Sequence, residues 1–132
     1  MASRVIEIQS ENDIYLALSA AREAMQQLHF SDLDKQKVFV SVSELARNIL
    51  THAQGKGVLK CETIKDGICL TVIDQGPGIP HIQEILQGAK VTSKTGLGLG
   101  LSGVKRLMDE FYVETGEGGT KIIAVKWRKS KC

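Results

Sequence analysis

The sequence has 132 residues, of which 42% are hydrophobic and 24% charged, and its formal net charge is +2. This composition excludes a disordered chain, and the length predicts one domain over residues 1–132 that buries about two thirds of the surface of the unfolded chain. The small net charge argues against nucleic-acid binding, so the basic residues near the end are predicted to form a solvated stretch: Lys126, Arg128, Lys129 and Lys131.

The first half of the chain predicts a strand followed by two helices. Residues 4–9 alternate between apolar and polar side chains, as a half-buried strand does. Ser10 is typical of a helix N-cap, and helical spacing of apolar residues continues over 11–28. A second N-cap signal at Ser31 and the same periodicity predict another helix, which ends near residue 53 before two glycines.

The second half predicts further strands and helices around two irregular stretches. The elements are strands over 58–64 and 68–73, a short helix over 81–87, a helix over 101–111, and strands over 112–115 and 120–127. Residues 74–80 contain too much Gly and Pro for a helix or a central strand, and 88–95 are polar. The order predicts an α/β two-layer sandwich, with helices on one face of a mixed, mainly antiparallel sheet.

Export, membrane insertion and metal binding by cysteine are not indicated. No apolar run approaches the roughly 20 residues that cross a bilayer, and the first residues lack the apolar stretch of a signal peptide. The sequence therefore predicts a cytoplasmic protein that does not bind membranes. Cys61, Cys69 and Cys132 show no C-x-x-C spacing, so free thiols are expected, the first two buried in strands.

Two polar side chains lie close to the apolar face of the second predicted helix. Glu44 and Asn48 are four residues apart, so they project from the same side of the helix, one turn from each other. Their neighbours Val42, Leu45 and Ile49 are expected to face the core. Taken alone, the pair also fits two surface residues at the edge of a helix.

The irregular loop at 74–79 follows the end of a predicted strand. Asp74 is its first residue, and Gly76 and Gly78 flank a proline, which turns the chain sharply with little side-chain bulk. The loop fits a tight structural turn. It equally fits a site for a flat ligand, in which Asp74 accepts a hydrogen bond from an adenine amino group.

A run of alternating glycines leads into the helix at 101–111. Backbone free of side chains next to the amides of a helix N-terminus suits phosphate, and the alternative is a mobile surface loop. The run is not a P-loop, because no Gly-Lys-Ser/Thr follows, and the polar stretch before it makes a poor dinucleotide fingerprint. Lys94, in that stretch, is placed to reach phosphate.

These segments together resemble one family in their order and spacing. Glu44-Leu45-Ala46-Arg47-Asn48, the loop from Asp74, the glycine run and Gly119-Thr120 resemble the N, G1, G2 and G3 positions of the GHKL or Bergerat ATP-binding fold, which gyrase B, Hsp90, histidine kinases and MutL share. The resemblance covers nearly the whole chain. It is greatest to the bacterial anti-sigma-factor and switch-protein serine kinases, in particular the RsbT type of stressosome kinase.

The resemblance implies roles for individual residues. Glu44 would be the general base, Asn48 would coordinate Mg²⁺ on the ATP phosphates, and Asp74 would bind the adenine amino group. The supporting residues would be Gly76 and Gly78 around the adenine, Lys94, Gly96, Gly98 and Gly100 at the phosphates, and Thr120 beside Asp74 or the adenine. The lid between residues 81 and 96 is shorter than the family pattern.

The resemblance also implies an activity and partners. These are a serine/threonine kinase, STAS-domain proteins as its substrates, and a PP2C-type phosphatase that it activates, with a homodimer as an open alternative for its oligomeric state. A competing hypothesis is a nucleotide-dependent switch that sequesters a partner with little catalysis, but such a module needs no base at Glu44. A detached histidine kinase domain is disfavoured because no histidine is followed by the Glu and Pro of a phosphoacceptor box.

Overall fold

The computed structural model of the protein describes residues 3–87 and 100–129. Within these ranges, strands and helices follow one another almost as predicted. In chain order they are β1 (Ser3–Ile8), α1 (Glu11–Met25), α2 (Asp32–His52), β2 (Gly57–Ile64), β3 (Gly67–Asp74), α3 (Ile82–Leu86), α4 (Gly100–Leu107), β4 (Glu110–Gly116) and β5 (Gly119–Trp127).

The described strands form one sheet with the order β1-β2-β3-β5-β4. Each neighbouring pair is antiparallel, so the predicted parallel component of the sheet is wrong for these strands. Short turns account for two of these pairs, because a hairpin always joins antiparallel strands: residues 65–66 connect β2 to β3, and residues 117–118 connect β4 to β5. The strand β5 inserts between β3 and β4 and runs antiparallel to both, so these two strands do not pair with each other.

The helices cover one face of the sheet, as predicted, and the core lies between the two layers. Val42, Leu45 and Ile49 of α2 are fully buried, which confirms the predicted inner face of this helix. Burying a side chain of this size contributes about 1.5–3 kcal/mol. The inner face of α1 has Ile14 and Met25 at its two ends and, between them, small side chains that let this helix pack closely: Ala17, Ala20, Ala21 and Ala24.

The helix predicted over 101–111 is wrong in its last turn. The helix α4 ends at Leu107, and Phe111 lies in β4. Asp109 accounts for the early end, because its backbone amide donates to the carbonyl of Val125 at 2.8 Å and its carboxylate accepts from the amide of Trp127 at 2.7 Å. These bonds begin the pairing with β5, so the chain leaves the helix.

The predicted solvated stretch is wrong for Lys126, whose side chain is 3% exposed. Its ammonium lies 3.3 Å from Asp109 Oδ1 and 3.7 Å from Asp34 Oδ1, and it donates to the carbonyl of Leu107 at 2.9 Å. Strand alternation places Lys126 on the covered face, two residues after buried Ala124. Of the other basic residues there, Arg128 and Lys129 are exposed and Lys131 lies outside the described residues.

Two smaller predictions concern thiols and membranes. Cys61 is buried and Cys69 half-buried, both as free thiols, while Cys132 lies outside the described residues. In the part of the chain that the structure describes, no helix combines the length and the apolarity needed to span a bilayer.

Candidate nucleotide site

The polar pair on α2 lies at the border of the helix's buried face. Glu44 is 9% exposed, and Asn48 follows one turn later with a half-buried side chain. The amide nitrogen Nδ2 of Asn48 is buried and has no hydrogen-bond partner in the described residues. A buried polar group without a partner is unfavourable, by about 1–3 kcal/mol, so this amide is a natural contact for a ligand.

Asp74 ends β3 with a buried carboxylate that is held in place by the backbone. Its Oδ1 accepts hydrogen bonds from the amide of Gly76 at 3.0 Å and from the amide of Thr120 at 3.2 Å. Among the described residues, the hydrogen bonds of this carboxylate all go to Oδ1. The second oxygen, Oδ2, is therefore available to a donor from outside the protein.

Gly57, at the start of β2, is the point where Asp74 and the C-terminal part of α2 come together. A Cβ on Gly57 would come within 2.9 Å of both Asp74 Cβ and Ile49 Cγ2. Ile49 directly follows Asn48 in α2, so the strand end and the helix pack against the same point of β2. Asp74 thus lies close to Ile49, the neighbour of Asn48 in α2.

The two glycines of the loop allow close packing with neighbouring backbone. A Cβ on Gly76 would lie 2.8 Å from Ala53 Cα at the end of α2, and Gly78, with φ +89°, faces the carbonyl oxygen of Gly116. The space left by both missing side chains is therefore filled by protein. These glycines shape the site indirectly, because they let the loop after Asp74 lie against α2 on one side and the β4–β5 hairpin on the other.

Two threonines extend this arrangement into the β4–β5 hairpin. Thr120 Oγ1 lies 2.7 Å from Thr115 Oγ1, and Thr115 Oγ1 accepts a hydrogen bond from the amide of Ile79 at 2.8 Å. Thr120 was predicted from the sequence as a site residue, but Thr115 was not. A signal was available, since the two threonines flank a glycine-rich turn, which places them opposite each other in the register.

The remaining predicted residues belong to the glycine run. Gly100 is the first residue of α4 and has φ +54°, a conformation that favours glycine. Lys94, Gly96 and Gly98 lie outside the described residues. Among the described residues, no group of three or more His, Cys, Asp or Glu side chains is placed to hold a metal ion.

Comparison with known proteins supports the resemblance to the ATP-binding family. The sequence profile of the histidine kinase-like ATPase domain matches residues 9–126. The serine/threonine-protein kinase RsbT of Bacillus subtilis (strain 168) is 42% identical over 127 residues, which cover 92% of this chain and 94% of RsbT. The resemblance predicted from the sequence is thereby confirmed.

Solved structures confirm the fold at lower identity. The structure of the RsbU and RsbW domains of Rv1364c from Mycobacterium tuberculosis superposes with a TM-score of 0.70 at 16% identity, over all of this chain and 34% of that one. The catalytic domain of the histidine kinase ThkA gives a TM-score of 0.58 at 19% identity, with 97% of each chain covered. The chain therefore belongs to the histidine kinase-like ATPase domain family, in which it is an ATP-using serine/threonine-protein kinase.

Proposed function

We propose that this kinase uses Mg-ATP to phosphorylate a serine or threonine of STAS-domain partner proteins, and that it also binds and activates a PP2C-type phosphatase. The likeness to RsbT over nearly the full length of both chains supports the proposal. The observation that supports it is the anchored carboxylate of Asp74, whose Cβ packs with Ile49 of α2 against Gly57. Cytoplasmic location and a homodimer remain predictions.

Asp74 is the proposed contact for the adenine. Its Oδ1 is used by two backbone amides, which hold the carboxylate in one orientation. Its Oδ2 can then accept a hydrogen bond from the exocyclic amino group of the base. The burial of Asp74, at 5% exposed, strengthens that bond because little water competes for the carboxylate.

Asn48 is the proposed protein ligand for Mg²⁺, and the described residues fit this role. The cation usually keeps several waters and binds through one or two protein groups together with substrate phosphates, so a larger protein cluster is not required. Exchange of the two ends of the Asn48 amide would turn its oxygen into the buried position that Nδ2 now holds without a partner. When bound, Mg²⁺ offsets the charge of the triphosphate.

Glu44 is the proposed general base. It lies one turn before Asn48 on the same side of α2, so a serine hydroxyl that approaches the terminal phosphate would meet it. Glu44 would accept the hydroxyl proton as the new bond to phosphorus forms. A well-placed base contributes about 10²–10⁴ in rate.

The test is transfer of label from γ-labelled Mg-ATP to a purified STAS-domain protein, with wild type beside Glu44→Gln, Asp74→Asn and Glu7→Gln. Glu44→Gln is expected to bind ATP but to lose transfer, whereas Asp74→Asn loses ATP binding. Glu7, on the exposed part of β1, is the matched control and should keep both.

Each outcome separates the hypotheses. Acid-stable label that disappears with Glu44→Gln supports the proposed kinase mechanism. Full transfer by Glu44→Gln would remove Glu44 as the base, and tight ATP binding by Asp74→Asn would remove the adenine assignment. Capture of the partner that requires ATP but transfers no label would instead indicate the nucleotide-dependent switch.

A further inference from the structure

We propose that Thr115 is a positioning residue, which orients the Thr120 hydroxyl as a hydrogen-bond donor next to Asp74. By fixing this orientation, Thr115 increases the preference of the proposed site for adenine over guanine. The inference rests on the nucleotide site proposed above. Thr115 lies outside the four sequence motifs, and its part emerges from the hydrogen bonds that join the loop after Asp74 to the β4–β5 hairpin.

The contacts form a short chain from backbone to binding site. The amide of Ile79 donates to Thr115 Oγ1 at 2.8 Å, and the hydroxyls of Thr115 and Thr120 lie 2.7 Å apart. The amide of Thr120 donates in turn to Asp74 Oδ1 at 3.2 Å. Thr120 is 4% exposed and Asp74 5%, so both groups are nearly free of competing water.

The number of hydroxyl protons decides which threonine donates to the other in this series of hydrogen bonds. A threonine hydroxyl donates one hydrogen bond and can accept two. The contact of Thr115 with Ile79 uses an N–H, which can only donate. Within the described residues, the acceptor in reach of the Thr115 proton is Thr120 Oγ1. We therefore assign Thr115 as the donor to Thr120, because the reverse order would leave the Thr115 proton unpaired at a half-buried position.

The assigned direction leaves the Thr120 proton unused by the described residues. Thr120 then presents a donor, and the ionised Asp74 beside it presents only acceptors. Adenine offers the complementary edge, with an acceptor at N1 and a donor at its 6-amino group. Guanine carries the opposite pattern, a donor at N1 and an acceptor at O6, so it would leave buried polar groups unpaired in this site.

The decisive variant is Thr115→Val, which keeps the shape of the side chain but removes the hydroxyl. Without that donor, the Thr120 hydroxyl can rotate and present its oxygen to the base as an acceptor. The preference for adenine over guanine is therefore expected to fall. We expect the ratio of GTP to ATP dissociation constants, measured by calorimetry with Mg²⁺, to drop about tenfold, since one hydrogen bond is at stake. The KM for ATP should rise, while kcat at saturating ATP stays close to wild type.

Two further variants separate positioning from general stability. Thr115→Ser keeps the hydroxyl and should restore the wild-type GTP-to-ATP ratio. Thr71→Val makes the same substitution on neighbouring β3, away from the loop, and should leave the ratio unchanged. If Thr115→Val does not fold, Thr115→Ala serves in its place, and the ratio of the two constants does not depend on the fraction of folded protein.

The possible results decide the matter. A GTP-to-ATP ratio that falls with Thr115→Val and returns with Thr115→Ser supports the inference. A wild-type ratio in Thr115→Val, or a loss in Thr115→Ser equal to that in Thr115→Val, overturns it while the nucleotide site stands. Wild-type protein that binds neither nucleotide would overturn the proposed function, and this inference with it.

Discussion

At the scale of single residues, Lys126 is the least exposed charged residue in the described part of the chain. It is nearly inaccessible to water and lies between the carboxylates of Asp34 at the start of α2 and Asp109 before β4. A buried ammonium is stable in its charged form only because the two carboxylates and the carbonyl of Leu107 surround it. Removal of the ammonium would leave two carboxylates close together, with only Lys37, 4.0 Å from Asp34 Oδ1, as a cation beside them among the described residues.

We therefore predict that Lys126→Met lowers the free energy of unfolding by about 3–5 kcal/mol, the usual effect of removing one partner of a buried ion pair. Urea denaturation measures this change. Lys121→Met, at an exposed position of the same strand, is the control and should change stability by less than about 0.5 kcal/mol. Equal effects of the two substitutions would mean that the three charged groups contribute no net stability.

A second prediction at this scale concerns the glycines near the site. Gly78 has φ +89°, and a side chain there would collide with the carbonyl oxygen of Gly116, whereas a Cβ on Gly118 would meet nothing within 4 Å. Gly78→Ala should therefore weaken ATP binding at least about tenfold by displacing the loop after Asp74, at a strain of about 1–3 kcal/mol. Gly118→Ala should bind ATP like wild type, and calorimetry that found the two variants equal would contradict this account.

At the scale of elements, the contact between α1 and β2 contains the thiol of Cys61. It is 1% exposed and lies 3.9 Å from the carbonyl oxygen of Ala17. Burial raises the pKa of this thiol to about 12 from an ordinary 9.0, although Arg4 on the neighbouring strand opposes the shift. The neutral thiol is thus favoured in the folded protein.

The raised pKa of Cys61 predicts a pH dependence of stability with a definite sign. Its contribution is complete below pH 9.0, where the thiol is neutral folded or unfolded, and is lost as the pH rises through 9.0 towards about 12, because only the unfolded thiol ionises. In urea titrations above pH 9.0, the wild type should lose up to about 1.4 kcal/mol per pH unit more than Cys61→Ala.

The control for this slope is Val72→Ala, which also removes a buried side chain but leaves Cys61 in place. It should be less stable than wild type at every pH and keep the wild-type slope. Identical slopes for wild type and Cys61→Ala would show that ionisation of this thiol is not linked to unfolding.

Most elements were predictable because their side-chain periodicity is strong and local. The buried positions of α2 recur at helical spacing, and β2 and β3 alternate around a recognisable turn. The end of α4 was not predictable in this way, since Phe111 fits the inner face of a longer helix as well as a strand. Lys126 was missed because its counter-charges, Asp34 and Asp109, come from distant parts of the sequence.

The candidate site, too, was predictable from the sequence only where its residues form a local motif. Asp74, Gly76 and Gly78 stand out in the sequence as a motif, and the structure supplies the contacts that explain them. Thr115 could not be recognised by residue type, since threonine is common in strands. Its part depends on the hairpin register, which places it opposite Thr120, and on the approach of a loop from another part of the chain.

At the scale of the whole molecule, one continuous apolar cluster joins the sheet to α1, α2 and α4. Residues 1–132 should therefore unfold as a single cooperative unit. The test is to compare urea unfolding curves from the far-ultraviolet helix signal and from the fluorescence of Trp127, the single tryptophan of the sequence, which lies on β5. The two curves should coincide, and separate midpoints would contradict a single domain.

The position of β5 in the sheet has a consequence for synthesis of the protein. This strand is described last along the chain but lies between β3 and β4, so it is needed to join the two parts of the sheet. While the ribosome is still translating residues 119–127, β3 presents a row of unpaired amides and carbonyls, and Lys126 has not yet reached Asp34. The nascent chain therefore carries an open, aggregation-prone strand edge until β5 emerges from the ribosome, and this is the stage at which a chaperone would protect it.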